Sequence, residues 1–367
     1  MTPEGFELDT LLAPIAGDNP VGADLREDFS AQSIYFKLRD GRAEARAAER
    51  ASDASGAEEQ VPPQWRTVRD LAATALQTLT KDLEIASWYT EAMIRSDGLD
   101  GLAAGATLIA GLAAAFWDQG LYPIPDEDGI ETRVAPITGL NGQGGDGTLV
   151  QPLRKLALFR RPTGEPLFYY QYEDAVTVAG IAETARRQSR IKAGSLAFAD
   201  VEGWAKAAGA AHFAGQRSRV QSAQAAWTAM AAILDEKAGL DSPATGRVRD
   251  LLADIGGAIA RYAPAQVEAP DAVDAPSDDA TAATGAARPA GAANIATRED
   301  MLRDLARIAD WFRRNEPHSP LAYTLDDAVR RGRMGWPDLL AELVGDAGPR
   351  NAILNSLGIR PMTEGGA

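Results

Sequence analysis

Residues 83–117 read LEIASWYTEAMIRSDGLDGLAAGATLIAGLAAAFW, and this stretch decides the fold. Its apolar residues recur every three or four positions, which is typical of helices with one buried face. Gly98 and Gly101 interrupt the helical pattern. Residues 101–117 carry no charge, but they are mostly small and too few for a bilayer core of about 30 Å. The stretch predicts a buried helix of a soluble bundle, in which Gly101 and Gly105 let a neighbouring helix approach closely.

Helical periodicity continues on both sides of this stretch. The same spacing predicts further helices over 65–79, 220–234 and 248–262. A charged helix over 34–50 and a helix over 173–190 are also predicted. Gly239 follows the 220–234 helix, where a left-handed C-cap is expected, and Ser242–Pro243 has the pattern of an N-cap followed by proline. The last two helices are therefore predicted to pack as an antiparallel hairpin.

One β element is predicted. Residues 156–160 and 167–172 flank the turn sequence PTGEP, as the two strands of a hairpin would. Beyond residue 264 the chain is rich in Ala, Pro, Asp, Gly and Thr, and a segment of this composition cannot bury enough apolar surface to offset its ordering entropy. We therefore predict a flexible linker there.

The predicted fold class is all-α, with multi-domain helical bundles, at most one short β-hairpin and a disordered linker. The predicted parts are an N-terminal helical domain at 1–192, a middle helical hairpin region at 193–263, a flexible linker at 264–296 and a C-terminal helical domain at 297–367.

Charge and composition restrict the function. The 367 residues include 52 acidic and 37 basic side chains, a formal net charge of −15. Such a chain repels phosphates, so no nucleic-acid partner and no direct membrane insertion are predicted. Cysteine is absent, which excludes disulfides, thiol nucleophiles and zinc sites built on sulfur. No basic residue precedes an apolar run at the start, so a secretory signal is not expected and the predicted location is cytoplasmic.

Three polar clusters are interpreted as structure and not as chemistry. The glycine run at 141–148 lacks the Gly-Lys-Ser/Thr ending of a phosphate loop. The acidic residues at 125–131 do not follow the ligand order of a calcium loop. His212 and His318 are too far apart in sequence to suggest a local metal pair. We therefore predict no catalytic, cofactor-binding or metal-binding residues.

Residues 313–321 read RRNEPHSPL and are predicted to form a turn between two helices. Glu316 and Ser319 each precede a proline and should be extended, which argues against a catalytic triad with His318. Two arginines would offset the dipole of the preceding helix, and Ser319–Pro320 would cap the next one. A rigid turn of this kind can form part of a binding surface, which consists of Arg313, Arg314, Asn315, Glu316, Pro317, His318, Ser319, Pro320 and Leu321. The resemblance of residues 312–334 to a known family implies that the same residues also serve oligomerisation.

Several motifs resemble a known family. Residues 11–26, LLAPIAGDNPVGADLR, are similar to the opening signature of the ImpA amino-terminal domain, and TKDL at 80–83, GLA at 101–103 and FWD at 116–118 follow in the order of that domain. The family-motif residues are Pro14, Gly17, Asn19, Pro20, Gly22, Asp24, Leu25, Arg26, Lys81, Asp82 and Leu83. Residues 312–334 resemble the C-terminal domain of the shorter TssA proteins of bacterial type VI secretion systems, although the sequence GWP at 335–337 departs from that pattern.

The resemblance implies a non-enzymatic assembly component of the secretion machine, without a cofactor. It implies binding to baseplate, tail tube and tail sheath proteins, a role in priming or coordinating tail polymerisation, and a ring-like homo-oligomer formed by the C-terminal domain. It also implies a cytoplasmic protein that associates with the machine at the inner membrane. One alternative is an adaptor that recruits an effector or cargo protein. A second is a cell-wall hydrolase that uses Asp126, Asp128 or Glu131.

Overall fold

A computed structural model describes residues 8–55, 61–143, 145–264, 320–334 and 336–343, with the isolated positions 305, 306, 309, 313 and 350. The chain divides into two compact units, Met1–Asp271 and Ala272–Ala367. The described residues are mainly helical and contain one two-stranded antiparallel sheet, which confirms the predicted fold class. Residues 265–296 of the predicted linker and most of the predicted C-terminal domain lie outside the described residues.

The helices of the first unit are α1 Leu8–Leu12, α2 Ile34–Ser55, α3 Gln64–Thr78, α4 Leu83–Phe116, α5 Ile130–Asn141, α6 Val150–Arg154, α7 Tyr169–Ala179, α8 Thr184–Lys192, α9 Phe198–Ala208, α10 Ala210–Ala238 and α11 Gly246–Ala260. Its strands are β1 Ala157–Arg160 and β2 Pro166–Phe168, which pair with Phe159 opposite Leu167. The second unit contains α12 Leu321–Arg333 and α13 Trp336–Leu343.

Helix α4 consists of two arms that fold back on each other. Gly98 has φ 60° and ψ −129°, which breaks the helix at one of the predicted interruptions. A Cβ atom at Gly101 would lie 2.1 Å from the carbonyl oxygen of Met93, and one at Gly105 would lie 2.4 Å from Oγ1 of Thr90. Gly101 thus lies against Met93, and Gly105, further along the second arm, lies against the earlier residue Thr90. The two arms therefore run antiparallel. The predicted close approach at Gly101 and Gly105 is confirmed.

This helix pair is the centre of the core. By length and composition, residues 83–119 could cross a membrane, but 72% of the most apolar window is buried inside the protein. Helices α3 and α10 pack along α4, with further contacts from α1 and α5. Leu102, Leu108 and Ile109 are completely buried. The apolar stretch is therefore a core helix, as predicted for residues 101–117.

Helices α10 and α11 form the hairpin that was predicted from their apolar seams, and Gly239 ends α10 with φ 60°. Trp227 lies between them, and its indole Nε1 donates a hydrogen bond of 3.0 Å to the carbonyl oxygen of Thr245. Residues 193–263 share one hydrophobic core with the preceding part of the chain, because α10 packs against α4 over much of its length.

Several boundaries differ from the sequence prediction. Helix α2 continues to Ser55 and α10 begins at Ala210, so both are longer than predicted. The predicted second strand over 167–172 is wrong beyond Phe168, because residues 169–172 form the first turn of α7. The predicted helix over 173–190 is two helices, α7 and α8, because the buried face of α7 ends at Val178 and α8 has no buried residue that would continue it. Helix α11 begins at Gly246 and not after Ser242. The Ser242 hydroxyl donates to the carboxylate of Asp235 in α10, so it does not cap α11.

Candidate functional site

The N-terminal motif residues meet at one place in the first unit. The loop 14–26 pairs with residues 79–82, the connection between α3 and α4. The backbone N–H of Lys81 donates to the carbonyl oxygen of Val21 at 2.7 Å, and that of Ala23 donates to Leu79 at 3.0 Å. We call residues 14–26 and 79–84 the junction. Motifs separated by more than fifty positions in the sequence thus form a single structure.

Glycine at position 22 is required by this close approach. Gly22 has φ 73°, and a Cβ atom there would lie 2.0 Å from the carbonyl oxygen of Leu79. The loop is also held by Asn19, whose Nδ2 donates to the carbonyl oxygen of Gly22 at 2.5 Å. The N–H of Ile15 donates to the carbonyl oxygen of Pro20 at 2.9 Å. Asn19, Pro20 and Gly22 therefore shape the loop, and this accounts for their place in the motif.

Arg26 joins the loop to the start of α4. Its Nη1 lies 2.7 Å from Oδ2 of Asp82 and 3.0 Å from Oδ1 of Asp24, and its Nη2 lies 2.5 Å from Oε2 of Glu84. Burial alone would lower the pKa of Arg26, but the charges and hydrogen bonds of Asp82 and Glu84 raise it above its ordinary value. Arg26 thus stays charged and holds three carboxylates together. Tyr35 also donates to Glu84, at 3.1 Å.

Asp82 has a second role as the N-cap of α4. Its Oδ1 accepts hydrogen bonds from the backbone N–H groups of Glu84 at 2.7 Å and Ile85 at 3.3 Å. A carboxylate at this position satisfies helix N–H groups that lack a helical partner and interacts favourably with the helix dipole. Asp82 is completely buried. The N-terminus of α4 therefore carries a buried carboxylate, and its charge is compensated by Arg26 and by the backbone N–H groups of the first helical turn.

Lys81 is a completely buried lysine. Its Nζ donates to the carbonyl oxygens of Leu11 at 2.7 Å and Leu76 at 2.5 Å, at the ends of α1 and α3. Burial lowers the pKa of Lys81 to about 8. Both hydrogen bonds go to backbone carbonyls and the side chain is completely buried, so we interpret Lys81 as a link between helix ends.

The remaining motif residues also have structural positions. Leu25 and Leu83 are buried in the core, and Gly17 has φ 121° in the loop. Pro14 and Gly17 are exposed. The structure thus brings all eleven N-terminal motif residues to one region, but most of them stabilise the junction internally. A binding role must then depend on the surface that the junction supports.

A row of aromatic rings lies beside the junction. It runs from Phe29 to Phe36, Tyr35 and Trp88, with neighbouring ring centroids 6.3, 5.6 and 5.4 Å apart. Phe29 is 82% exposed, whereas Trp88 is buried. Three arginines lie over the rings: Arg26 at 5.2 Å from Tyr35, Arg39 at 4.8 Å from Phe36, and Arg42 at 5.8 Å from Trp88. Tyrosine, tryptophan and arginine are the residues that contribute most at protein interfaces.

A groove with a volume of 530 Å³ opens between this aromatic row and α5. Tyr35 and Trp88 line one side, and Ile124 and Pro136 line the other. Ile124 is partly exposed at its rim. The aromatic row and this groove together provide an apolar surface with charged edges, which is suited to binding another protein.

A second cleft, of 370 Å³, lies where α4 reverses at Gly98. Its walls include Leu99, Leu156 and Ile255. At its mouth, Lys155 is paired with Asp53 and Arg219 is paired with Asp100. These cations are thus already neutralised by carboxylates, and the cleft shows no charge set for an ionic ligand.

The polar residues for which the sequence predicted no chemistry, at 141–148, at 125–131 and at His212, form hydrogen bonds within the fold. Asn141, in the glycine run, is buried and accepts a hydrogen bond of 2.9 Å from the N–H of Val248. Asp126 accepts from the Thr132 hydroxyl and from the N–H of Asp128. His212 Nε2 lies 2.7 Å from the carbonyl oxygen of Leu158. Within the described residues, no group of three or more His, Cys, Asp or Glu side chains could hold a metal ion.

The predicted C-terminal surface is described only in part. Residues 314–319 lie outside the described residues, while Arg313 contacts Asp326. Helix α12 begins one residue later than predicted, because Pro320 occupies the N-cap position that was assigned to Ser319 and Leu321 is the first helical residue. The role of residues 313–321 in self-association stays a prediction.

An ion network in the second unit was not anticipated. Arg330 lies 2.6 Å from Glu342 and 2.5 Å from Asp327, and Arg331 lies 2.9 Å from Glu342. Hydrogen bonds from Arg330 and then Arg331 lower the pKa of Glu342 to about 2. The network joins α12 to α13, and the basic last turn of α12 was the signal that could have suggested an acidic partner.

Three comparisons with known proteins agree. Residues 12–142 match the family described as ImpA, N-terminal, type VI secretion system. The chain is 29% identical over 349 residues to the type VI secretion system component TssA1 of Pseudomonas aeruginosa, covering 93% of this chain and 96% of that protein. It is also similar to a solved N-terminal domain, including the conserved ImpA_N region, of the TssA component from Burkholderia cenocepacia. That similarity has a TM-score of 0.57 at 25% identity and covers 71% of this chain and 97% of the other. The predicted resemblance is confirmed.

Proposed function

We propose that the chain acts as a non-enzymatic assembly scaffold. The premise is that residues 12–142 belong to the ImpA amino-terminal family and that the chain is a TssA-type component of a type VI secretion system. In this role it binds baseplate, tail tube and tail sheath proteins and helps to prime or coordinate tail polymerisation. Its C-terminal domain joins copies into a ring-like oligomer. It works in the cytoplasm, where the machine meets the inner membrane.

The observation that carries this proposal is the surface next to the junction. Within the family-matched region, the motif residues form the junction, and the aromatic row lies next to it. Phe29 is exposed at one end of this row and packs against Phe36, and the row continues through Tyr35 to the buried Trp88. A large exposed aromatic side chain on an ordered loop is favourable for binding, because its order is already present before the partner arrives. The described residues provide such a surface.

Multivalency is the reason for the predicted oligomer. Several copies of one weak binding surface, held at high effective concentration, grip a repetitive structure far more tightly than one copy does. A contractile tail is such a repetitive structure. This reasoning supports the scaffold over a single-copy binder, and it makes self-association necessary for the function.

The binding surface can be tested with the full-length chain immobilised on a sensor and presented separately with purified baseplate, tube, sheath and effector proteins of the same system. We expect Phe29→Ala to weaken binding of a baseplate or tail protein by about tenfold, the effect of a typical interface anchor. Leu240→Ala is the matched control, since Leu240 is fully exposed in the turn after α10 and lies outside the aromatic row.

The scaffold proposal is rejected if none of the baseplate, tube or sheath proteins binds. Binding of effector proteins alone would favour the adaptor alternative. Light scattering on the same chain tests the oligomer, and a single-copy mass at high concentration would contradict it. Reversing charge with Arg313→Glu and Arg314→Glu should lower the mass if residues 313–321 contribute to the contact between subunits.

A further inference from the structure

Helix α8 is strongly basic and lies at the surface of the first unit. It contains Arg186, Arg187, Arg190 and Lys192 and no acidic residue, in a chain with a net charge of −15. None of its nine residues is buried. A helix that is polar on all sides gains little from packing in its own fold. Its exposed position therefore leaves it available to a partner.

Few of these charges are compensated within the protein. Arg190 pairs with Asp174 at 2.8 Å. Arg187 donates to the carbonyl oxygen of Ile181 at 3.1 Å, and among the described residues no carboxylate forms an ion pair with it. Arg186 and Lys192 have no acidic partner among the residues that the structure describes. We call Arg186, Arg187 and Lys192 the basic set.

A protein surface suits this helix better than a membrane or a nucleic acid. Ile191 is its one large apolar side chain and is already half-buried, so α8 has no apolar face that could enter a lipid interface. An extended sheet of lipid phosphates or a long duplex would also approach the acidic remainder of the chain and be repelled. A compact group of carboxylates on a protein can contact α8 alone.

The chain itself carries such a group. Residues 126–131 include four acidic side chains, and they lie in the turn before α5 and at its first residues. Asp126 holds the turn through Thr132 and the N–H of Asp128. Glu127, Asp128 and Glu131 are exposed, and no described cation pairs with them. We call these three the acidic set. It matches the basic set in number and has the opposite charge.

We propose that α8 of one copy docks on the acidic set of a second copy, as a head-to-tail contact between first units. The two surfaces differ, so each copy keeps one of them open for the next copy. Contacts of this type close into a ring when the rotation between copies allows it. The inference rests on the proposed self-association and deepens it, because it adds a contact outside the C-terminal domain.

The absence of native cysteine permits a directional cross-linking test with the full-length chain. One copy carries Ser189→Cys, at an exposed position in α8, and a co-expressed copy with a different tag carries Ala135→Cys, one turn after Glu131. A short bis-maleimide then joins the two copies where α8 of one lies beside the acidic set of the other. We expect a mixed dimer on a denaturing gel.

Charge exchange identifies the contact. The basic-reversed chain carries Arg186→Glu, Arg187→Glu and Lys192→Glu, and the acidic-reversed chain carries Glu127→Lys, Asp128→Lys and Glu131→Lys. Either reversal alone should reduce the mixed dimer about tenfold, since three exposed ion pairs become repulsive. Combining the basic-reversed α8 copy with the acidic-reversed partner should restore it. Asp126 is left unchanged because it holds the turn.

A matched control reverses three cations elsewhere, Arg69→Glu, Arg247→Glu and Arg249→Glu, whose native partners are Asp70, Asp146 and Asp250. This chain has the same net charge as the basic-reversed chain and should cross-link normally, and circular dichroism verifies that every variant folds. The proposal is overturned if single reversals leave the mixed dimer unchanged or if the exchange does not restore it. Binding to phosphatidylglycerol vesicles or duplex DNA that depends on α8, without the mixed dimer, would also overturn it.

Light scattering on the same samples separates the two proposals. Multimers without the cross-link would refute the α8 contact and leave the proposed scaffold intact. A single-copy mass without the cross-link would refute both.

Discussion

Replacing Arg26 with alanine tests whether ionic contacts hold the junction. Arg26 lies within 3.0 Å of Asp24, Asp82 and Glu84, and Asp82 is completely buried whereas the Arg26 side chain is 25% exposed. Breaking a fully buried ion pair costs about 3–5 kcal/mol, and an exposed pair contributes about 0.2–1 kcal/mol. Asp82 keeps two backbone donors after the change. We therefore expect the free energy of unfolding of the first unit to fall by about 2 kcal/mol, between these limits.

The measurement is urea unfolding of the full-length chain, followed by tryptophan fluorescence and circular dichroism. The matched control is Arg249→Ala. The Arg249 side chain is 63% exposed and, among the described residues, forms an ion pair with the adjacent Asp250. Its loss should change stability by less than about 0.5 kcal/mol. Equal effects of the two substitutions would refute the argument, because the buried carboxylate of Asp82 would then not depend on Arg26.

Three further outcomes follow from the core. Burial lowers the pKa of Lys81 to about 8, against about 10.4 for an unfolded chain. Between these pH values the unfolded chain binds a proton that the folded chain does not, so stability should rise with pH relative to Lys81→Met, by at most about 3 kcal/mol. The measurement is a set of urea titrations at a series of pH values. The argument is contradicted if the stability of the wild type falls relative to that of Lys81→Met across this pH window. Gly105→Ala should lower the free energy of unfolding by about 1–3 kcal/mol, because the added Cβ would contact Thr90. The control Gly215→Ala, in α10 with open space around it, should raise the free energy of unfolding by up to about 1 kcal/mol. Equal shifts in the melting temperatures of the two variants would refute the close approach. Asn141→Ala should cost about 1–3 kcal/mol because the buried N–H of Val248 loses its acceptor, and an unchanged urea midpoint would argue against that hydrogen bond.

The central features of the fold could be predicted because they depend on local patterns. The apolar spacing and the glycines of residues 83–117 were sufficient for a buried helical element with a break at Gly98 and a close contact at Gly101 and Gly105. The split between α7 and α8 was missed because it depends on where the core ends, and the core is a tertiary property. Ser242 was misassigned for a similar reason, since its hydroxyl bonds to Asp235.

The junction was predicted as a set of motif residues but not as a site. Family resemblance selected Arg26 and Asp82, yet the contact between them spans 56 positions and has no local signal. Asp82 two residues before Glu84, at the start of a helical pattern, could have suggested an N-cap with a cationic partner. Tyr35, Phe29 and Trp88 were missed, because exposed and buried aromatic residues look the same in a helical pattern until the packing is known.

The packing of α10 against α4 has a consequence for anyone who shortens this protein. Residues 12–142 match the ImpA amino-terminal family by themselves. One side of the central helix pair is nevertheless covered by residues 210–238, which lie outside that match. A fragment that stops at residue 142 or 192 would leave that apolar side open to water and should aggregate when it is expressed. A fragment that keeps the junction and the aromatic row folded must therefore include the chain through α11. The shortest such fragment ends near residue 264.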